Sequence, residues 1–360
     1  TIQLIPGVKS ACDGNSGFYV RGGGPDQNLI LLDEAPVYNA SHLMGFFSVF
    51  NGDAIKNVNL IKGGMPAQYG GRLSSVLDIS MKEGNNQTFH ATGGVGVIAS
   101  RLTLEGPIVK DKSSFIISGR RTYIDVLSKP FFKPGSPFAG TSYFFYDLNA
   151  KINYKFSDKD RLFLSGYFGR DVFKFNDVEA KFKTTIPWGN ATACLRWNHL
   201  FSSKLFSNAS VIFTNYDFAF AAEEDNFELT IKSGIKDWNF KYDLNYFPNP
   251  RHNVKVGFNY IFHTFIPTSV SAKQGETVFD LGKVIKLYSH DAAVYAGDDW
   301  DITEKLRVNF GLRFGYFAQV GPFTRYTKDF LGRAADTVIY KRGKKVIDYN
   351  GLEPRVSLRY

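Results

Sequence analysis

The chain has 360 residues and carries 43 Lys and Arg against 34 Asp and Glu, a net charge of +9. Hydrophobic residues make up 44% and aromatics 16%, with 34 Phe and 19 Tyr against 3 Met, a balance that favours pleated sheet over helix. No apolar run reaches the ~18 residues of a membrane-crossing helix, which leaves membrane strands open, because these alternate and never produce such a run. The basic residues read as scattered singly along strands, so a solvated or lumenal face is expected and nucleic acid is not a partner. Cys12 and Cys194 stand far apart and match no metal spacing.

Residues 1–85 are short apolar runs broken by glycine: Phe18 to Val20, Leu29 to Leu32, Val58 to Ile61 and Val76 to Ile79. They read as a small mixed α/β unit, with a helical turn expected over Gly52 to Asn57. Within it, Gly22-Gly23-Gly24 followed by Asp33-Glu34 imitates a phosphate loop beside an ATPase acidic pair. A phosphate loop needs G-x-x-x-x-G-K-[ST] leading into a helix, and the chain has no such string. Pro25-Asp26 instead favours a turn, so the glycines are expected to join short strands. Positive φ is expected at Gly22 to Gly24 and at Gly63-Gly64, and a turn-capping carboxylate at Asp33.

From Thr88 onward the text alternates. Trp238, Phe240, Tyr242, Leu244 and Tyr246 oppose Asp237, Asn239, Lys241, Asp243 and Asn245, and Leu148, Ala150, Ile152, Tyr154 and Phe156 oppose Asp147, Asn149, Lys151, Asn153 and Lys155. The same split recurs around Val254 to Phe262 and Leu306 to Phe314. Each segment is about ten residues, the length with which a tilted strand crosses a bilayer. A soluble sandwich also alternates, but on shorter strands with aliphatic inner faces. Aromatic-rich outer faces opposite Lys, Arg, Asp and Asn suit a barrel with a wet interior. Short polar turns near Lys110-Asp111-Lys112, Ser157 to Asp160, Ser202 to Lys204, Pro248 to His252 and Thr303 to Lys305 alternate with longer links at 126–142, 173–188, 221–226, 265–287 and 318–350. Parity then requires a hairpin over residues 88–108 and gives about twelve strands, the last from Leu352 to Tyr360.

Phe18-Tyr19-Val20-Arg21-Gly22-Gly23, Leu31 to Asn39, Ala54 to Val58, and Ile61-Lys62-Gly63-Gly64 through Tyr69-Gly70-Gly71-Arg72 together resemble the plug domain of TonB-dependent outer-membrane receptors. Ile5-Pro6-Gly7-Val8 is similar to the start of that plug, and Leu104 to Ile108 and Asp298 to Arg313 to barrel strands of the family. The resemblance implies a plug (1–85) inside a transmembrane antiparallel barrel of 22 strands, of which residues 86–360 supply the N-terminal twelve. It implies import of a scarce or bulky nutrient, a metal chelate, glycan or peptide, across a Gram-negative outer membrane. The implied partners are outer-membrane lipid, the remainder of the barrel and the inner-membrane TonB energising complex. The chain begins after the family's TonB box, so it is expected to be a fragment or one piece of a receptor.

The plug residues carrying the resemblance, Arg21, Gly22, Gly23, Asp33, Lys62, Gly63, Gly64, Tyr69, Gly70, Gly71 and Arg72, are expected to be structural, with Arg21 and Arg72 meeting wall carboxylates such as Glu105 or Glu353. Ligand binding is expected on the longest link, at Phe323, Arg325, Tyr326 and Arg333, because aromatic and Arg side chains dominate binding when buried against a partner. No cofactor is expected and no enzyme: the chain lacks a G-x-S-x-G elbow, an H-E-x-x-H pair and any metal spacing among its six histidines. Glu223-Glu224-Asp225-Asn226 reads as a solvated acidic turn rather than a calcium loop. The alternative is a non-transporting barrel subunit that holds a surface lipoprotein or a secretion-system subunit.

Overall fold

The computed structural model describes residues 5–10, 17–127, 129–131, 140–177, 179–279, 284–328 and 330–360; Cys12 lies outside them. The first unit is built from β1 (Val8–Ser10), β2 (Phe18–Val20), β3 (Asn28–Leu32), β4 (Ala35–Pro36), β5 (Ser41–His42), β6 (Phe47–Ser48), β7 (Ile55–Ile61) and β8 (Ser75–Met81). Its main sheet has the order β4-β3-β8-β7, with β3 and β8 parallel. Val20, Leu32, Val37, Val49, Leu77, Ile79 and Met81 bury themselves together as its core. Among the described residues of this unit, helix is confined to 3-10 turns at Pro25–Gln27 and Leu43–Gly45. The expected helical turn over Gly52 to Asn57 is instead a turn that ends at Ala54, because β7 takes up Ile55 onward against β8.

Around this unit runs a wall of β9 (His90–Val95), β10 (Ala99–Val109), β11 (Ser113–Thr122), β12 (Ser142–Lys155), β13 (Asp160–Asp177), β14 (Phe182–Ser202), β15 (Leu205–Glu224), β16 (Phe227–Tyr246), β17 (His252–Gln274), β19 (Leu287–Asp301), β20 (Arg307–Val320) and β23 (Lys345–Arg359). These twelve lie in sequence order, each antiparallel to the next, and β18 (Thr277–Phe279) pairs with the tip of β17. β21 (Phe323–Lys328) and β22 (Ala334–Tyr340) form a separate hairpin between β20 and β23. The hairpin expected over 88–108 is present as β9 and β10.

The strands are longer than the alternation suggested. β14, β15, β16 and β17 have 21, 20, 20 and 23 residues, and at about 3.3 Å per residue a tilted strand of that length overshoots a ~30 Å hydrocarbon layer. Most of the expected long links are therefore strand: 173–188 shrinks to the short connection between β13 and β14, and the turn between β15 and β16 is only Asp225-Asn226. Backbone groups that a free loop would leave to water are paired across neighbouring strands instead. In the same way β23 begins at Lys345, not Leu352.

Sidedness follows the sequence. Lys151 and Arg313 are buried on the inner face at 3% and 6% exposure, whereas Trp238, Phe258 and Phe310 stand out on the other. Exposed aromatic side chains on one face opposite buried cations on the other are what a strand wall in lipid presents. Lipid-phase quenching of spin labels should reach positions 238, 258 and 310 strongly and positions 151, 241 and 313 weakly; equal quenching of the two sets would overturn the assignment.

Candidate functional site: the contact between plug and wall

Asp33 and Glu34 make the two-residue turn between β3 and β4, with φ of 46° and 73°. Such a turn requires positive φ at both central positions, which glycine or Asn adopts easily and Glu does not. The strain is held by the wall. Asp33 Oδ1 accepts from the Met81 amide at 3.0 Å, and Asp33 Oδ2 lies 2.8 Å from Lys151 Nζ with both side chains buried. Glu34 accepts a hydrogen bond from Ser210 at 2.6 Å and lies 3.8 Å from both Arg196 and Lys241. One oxygen of Asp33 thus goes to the β8 backbone, and the other ties the plug to β12.

Higher on the wall the polarity reverses. The Tyr38 hydroxyl donates to Asp237 at 2.5 Å and the Tyr38 amide to Asn190 at 3.1 Å. His42 is almost fully buried, stacked on Phe145, with Nδ1 2.6 Å from Asp171 and Nε2 3.3 Å from Asp147. Arg120 also bonds Asp147, and the Tyr143 hydroxyl donates to Asp171. Both ring nitrogens of His42 face carboxylates, so the imidazolium form, a donor at both, is the one the geometry fits. Two carboxylates then balance one guanidinium and one imidazolium. Burial pushes the His42 pKa down, but the hydrogen bonds it donates to Asp147 and Asp171, with the charge of both carboxylates, outweigh burial and hold it above the ordinary value. Burial together with the Asp237 carboxylate likewise raises the Tyr38 phenol.

A third contact uses backbone. Arg355 Nη1 donates to the carbonyls of Met65 and Pro66 at 3.3 and 3.2 Å, and Arg313 lies against Ala67 and Gln68. Gly70 admits that guanidinium: a Cβ there would sit 2.6 Å from Arg313 Nε. Gly64, at φ 58°, passes so close to β23 that a Cβ would meet Ser357 at 2.6 Å. Apolar contact across the interface is made by Leu43 and Phe47 against Tyr143, Phe145 and Trp188, by Ala35 against Cys194 and Ile212, and by Tyr167 against the plug core.

The remaining sequence-selected residues divide. Positive φ holds at Gly22, Gly64 and Gly71 but not at Gly23, Gly24 or Gly63; at Gly63 the constraint is instead the Arg21 guanidinium, which a Cβ would meet at 2.5 Å. Gly23 is pressed against Ser74. Lys62 donates to the Pro6 carbonyl, and Tyr69 donates to Asp78 at 3.0 Å, with burial and that carboxylate pushing its phenol up to about 12. Arg72 donates to the Gly71 carbonyl. Arg21 and Arg72 do not reach Glu105 or Glu353 among the described residues; Glu353 is taken by Arg355 at 2.5 Å, so on this part of the wall the cations belong to the barrel and the acceptors to the plug. Phe323, Arg325, Tyr326 and Arg333 lie on or beside the β21–β22 hairpin, where Phe323 rests on Tyr340 and Arg325, Tyr326 and Arg333 are exposed. In the acidic turn, Glu223 pairs with Lys183 and Asp225 with Lys181. The sequence assigns no wall contact to Glu34, Tyr38 or His42. The wall side gave a signal, since alternation places Asp147, Lys151, Asp237 and Lys241 inward.

Two measurements probe these anchors. Lys151→Ala should loosen the plug by about 3–5 kcal/mol, because it strands a buried carboxylate, while Asp33→Asn with Lys151→Met should recover most of the loss. Hydrogen exchange of the β3 amides reports both, and equal losses in the single and double variants would count against the ion pair as the anchor. For His42, a folded pKa above the unfolded value gives a contribution fully present below the unfolded pKa of about 6.5 and lost as pH rises through the raised value. Once the intrinsic base catalysis of exchange is divided out, protection of the plug amides should therefore fall on alkalinisation in the parent and change less in His42→Gln.

With this geometry in place, comparison with known proteins identifies the parts. The family model of the TonB-dependent receptor plug domain matches residues 1–75. No curated protein sequence matches the chain. Among solved structures, the siderophore receptor PirA of Acinetobacter baumannii aligns with a TM-score of 0.63 at 18% identity, over 91% of this chain and 56% of its own. The FrpB iron transporter of Neisseria meningitidis gives 0.66 at 14%, over 99% and 59%. P. aeruginosa FpvA, in a complex with a pyoverdine and iron, gives 0.67 at 13%, over 98% and 51%. The chain thus spans between half and three-fifths of the length of these structures, which are receptors and transporters rather than enzymes. Residues 1–75 are a TonB-dependent receptor plug domain, and the strands around it have the fold of the TonB-dependent receptor barrel.

Proposed function

We propose that the chain is the plug (1–85) and the N-terminal wall (86–360) of an outer-membrane importer that takes up a scarce or bulky nutrient, a metal chelate before a glycan or peptide. The observation that carries this is the contrast between two interfaces. The plug's own core is apolar, whereas its contact with the wall adds to its apolar patches a series of ion pairs and hydrogen bonds. Polar interfaces between units permit relative motion, and apolar cores do not. A plug that keeps its fold while its wall contacts break suits import by remodelling from the periplasmic side, with the TonB complex supplying the energy. The preference for a metal chelate is supported by the siderophore and iron proteins with which the fold aligns.

Open strand edges are untenable in lipid, so further strands must join β9 and β23, each of which pairs on one side only among the described residues. Ligand contact is assigned to Phe323, Arg325, Tyr326 and Arg333 on the hairpin that rises beyond β20. Ala35 and Cys194 pack in one buried cluster across the interface, which supplies a test. With Cys12→Ser and Ala35→Cys in the whole protein, oxidation onto Cys194 should stop uptake of labelled ferric chelates, and reduction should restore it. Uptake that continues at the parent rate through a locked plug would overturn the mechanism. Deleting Thr327 to Lys341 should lower ligand binding without unseating the plug.

A further inference from the structure

Lys341-Arg342-Gly343-Lys344-Lys345 is the densest basic run in the chain and departs from the scattered pattern expected of it. It forms the turn between β22 and β23. Lys345 pairs with Asp348 at 3.1 Å, while among the described residues no carboxylate pairs with Lys341, Arg342 or Lys344. The turn is clamped to the top of β20. The Gly321 amide donates to the Lys344 carbonyl at 2.8 Å, the Gly343 amide donates to the Gly321 carbonyl at 3.0 Å, and a Cβ on Gly321 would lie 2.3 Å from the Lys341 carbonyl oxygen.

Beneath this turn the outer face of the wall holds a cleft of about 550 Å³, lined by Phe262, Tyr288, His290, Val320, Pro322 and Arg342. Phe262 and Tyr288 stack with centroids 6.1 Å apart, and His290 Nδ1 is hydrogen-bonded to the Tyr260 hydroxyl at 2.7 Å. Strand register fixes its height. Leu352, Phe314, Val294 and Phe258 lie side by side in one outward row of apolar groups. Four residues further along the strands, Asp348, Ala318, His290 and Phe262 form the next but one outward row, in which the apolar surface gives way to polar groups. The cleft thus sits where the apolar band ends, at the level of headgroups rather than acyl chains. Aromatic and imidazole side chains suit that level, and clustered cations beside it attract anionic lipid.

We propose that the basic turn and the cleft below it bind an acylated lipid whose headgroup carries more than one phosphate. Three unneutralised cations on one rigid turn exceed what a single phosphodiester can balance. The aromatic floor, continuous with the apolar row below, accepts the start of the acyl chains. Arg342 belongs to both parts, and its planar fork can bind a phosphate through two N–H groups. The site rests on the membrane placement of the wall proposed above.

The test uses the whole protein in phosphatidylcholine nanodiscs doped with diphosphoryl lipid A, with retained lipid read by native mass spectrometry. Lys341→Ala, Arg342→Ala and Lys344→Ala together should lower retention at least tenfold, since each cation at a lipid surface is worth about fivefold. Monophosphoryl lipid A should be held more weakly than the diphosphoryl form, and Phe262→Asn should lower retention without altering insertion. Equal retention by parent and triple variant would overturn the proposal, as would displacement of the lipid by inorganic phosphate alone. Binding of a second protein copy at this face with no lipid retained would overturn it too. Failure of the parent to insert into the nanodisc is a separate outcome that removes the membrane placement itself.

Discussion

The buried pair between Asp33 and Lys151 is the contact from which the rest of the plug's placement follows. A two-residue turn with positive φ at both Asp33 and Glu34 is a poor choice of residues for the backbone, and an isolated plug would relax it or fill it with glycine. Here the side chains that make the turn costly are the ones the wall binds. Lys151 on β12, and Arg196 and Lys241 on β14 and β16, meet the pair from separate strands, so the turn is anchored from several directions. Strain of this kind persists only where surrounding structure over-determines it. The ATPase-like appearance of the stretch is therefore accidental: the acids pair with wall cations, and the glycines before them lead into a 3-10 turn and a strand and not into a phosphate-binding helix.

From that anchor the interface rises in tiers of differing chemistry. At the Asp33-Glu34 turn the plug supplies acid and the wall supplies base; at the level of Tyr38 and His42 the plug supplies donors and the wall carboxylates. Backbone carbonyls at Met65 to Gln68 accept from Arg355 and Arg313. These contacts are polar ones that water can replace when the surfaces part, unlike the apolar packing inside the plug. Separation consequently costs the plug its position before it costs the plug its fold.

How much of this was legible depends on the range of the signal. Inward and outward faces could be read because a period of two is a local property, and Lys151, Lys241, Trp238 and Phe310 all lie as that period requires. Strand lengths could not. Whether Ala221 or Ser269 is loop or ladder depends on a partner strand being present beside it, and alternation fades there while pairing continues. Pairings between plug and wall were the least legible. Arg21 looked like a partner for Glu353, yet its guanidinium lies along Gly63, and Glu353 is satisfied by Arg355 two residues away on its own strand. Nothing near His42 in the sequence announces it, because Asp147 and Asp171 are more than a hundred residues distant and are brought to it by β12 and β13.

That distance bears on how the plug would be released. A force applied to the plug from its N-terminal side reaches β1 and β2 before it reaches His42, whose two carboxylates belong to adjacent strands of a rigid wall. The Asp33 contact precedes β4 in the chain and the His42 contact follows it, with Tyr38 between them. Unthreading from the N-terminus would therefore break the Asp33 and Glu34 pairs first, then Tyr38, and His42 after both. Parting the buried His42 ring from Asp147 and Asp171 would leave buried charges unpaired, which is costly. The His42 contact stands after the Asp33, Glu34 and Tyr38 contacts in that order and ahead of the Met65 to Gln68 carbonyls held by Arg355 and Arg313, which would leave the first part of the plug free to move while the later part stays docked.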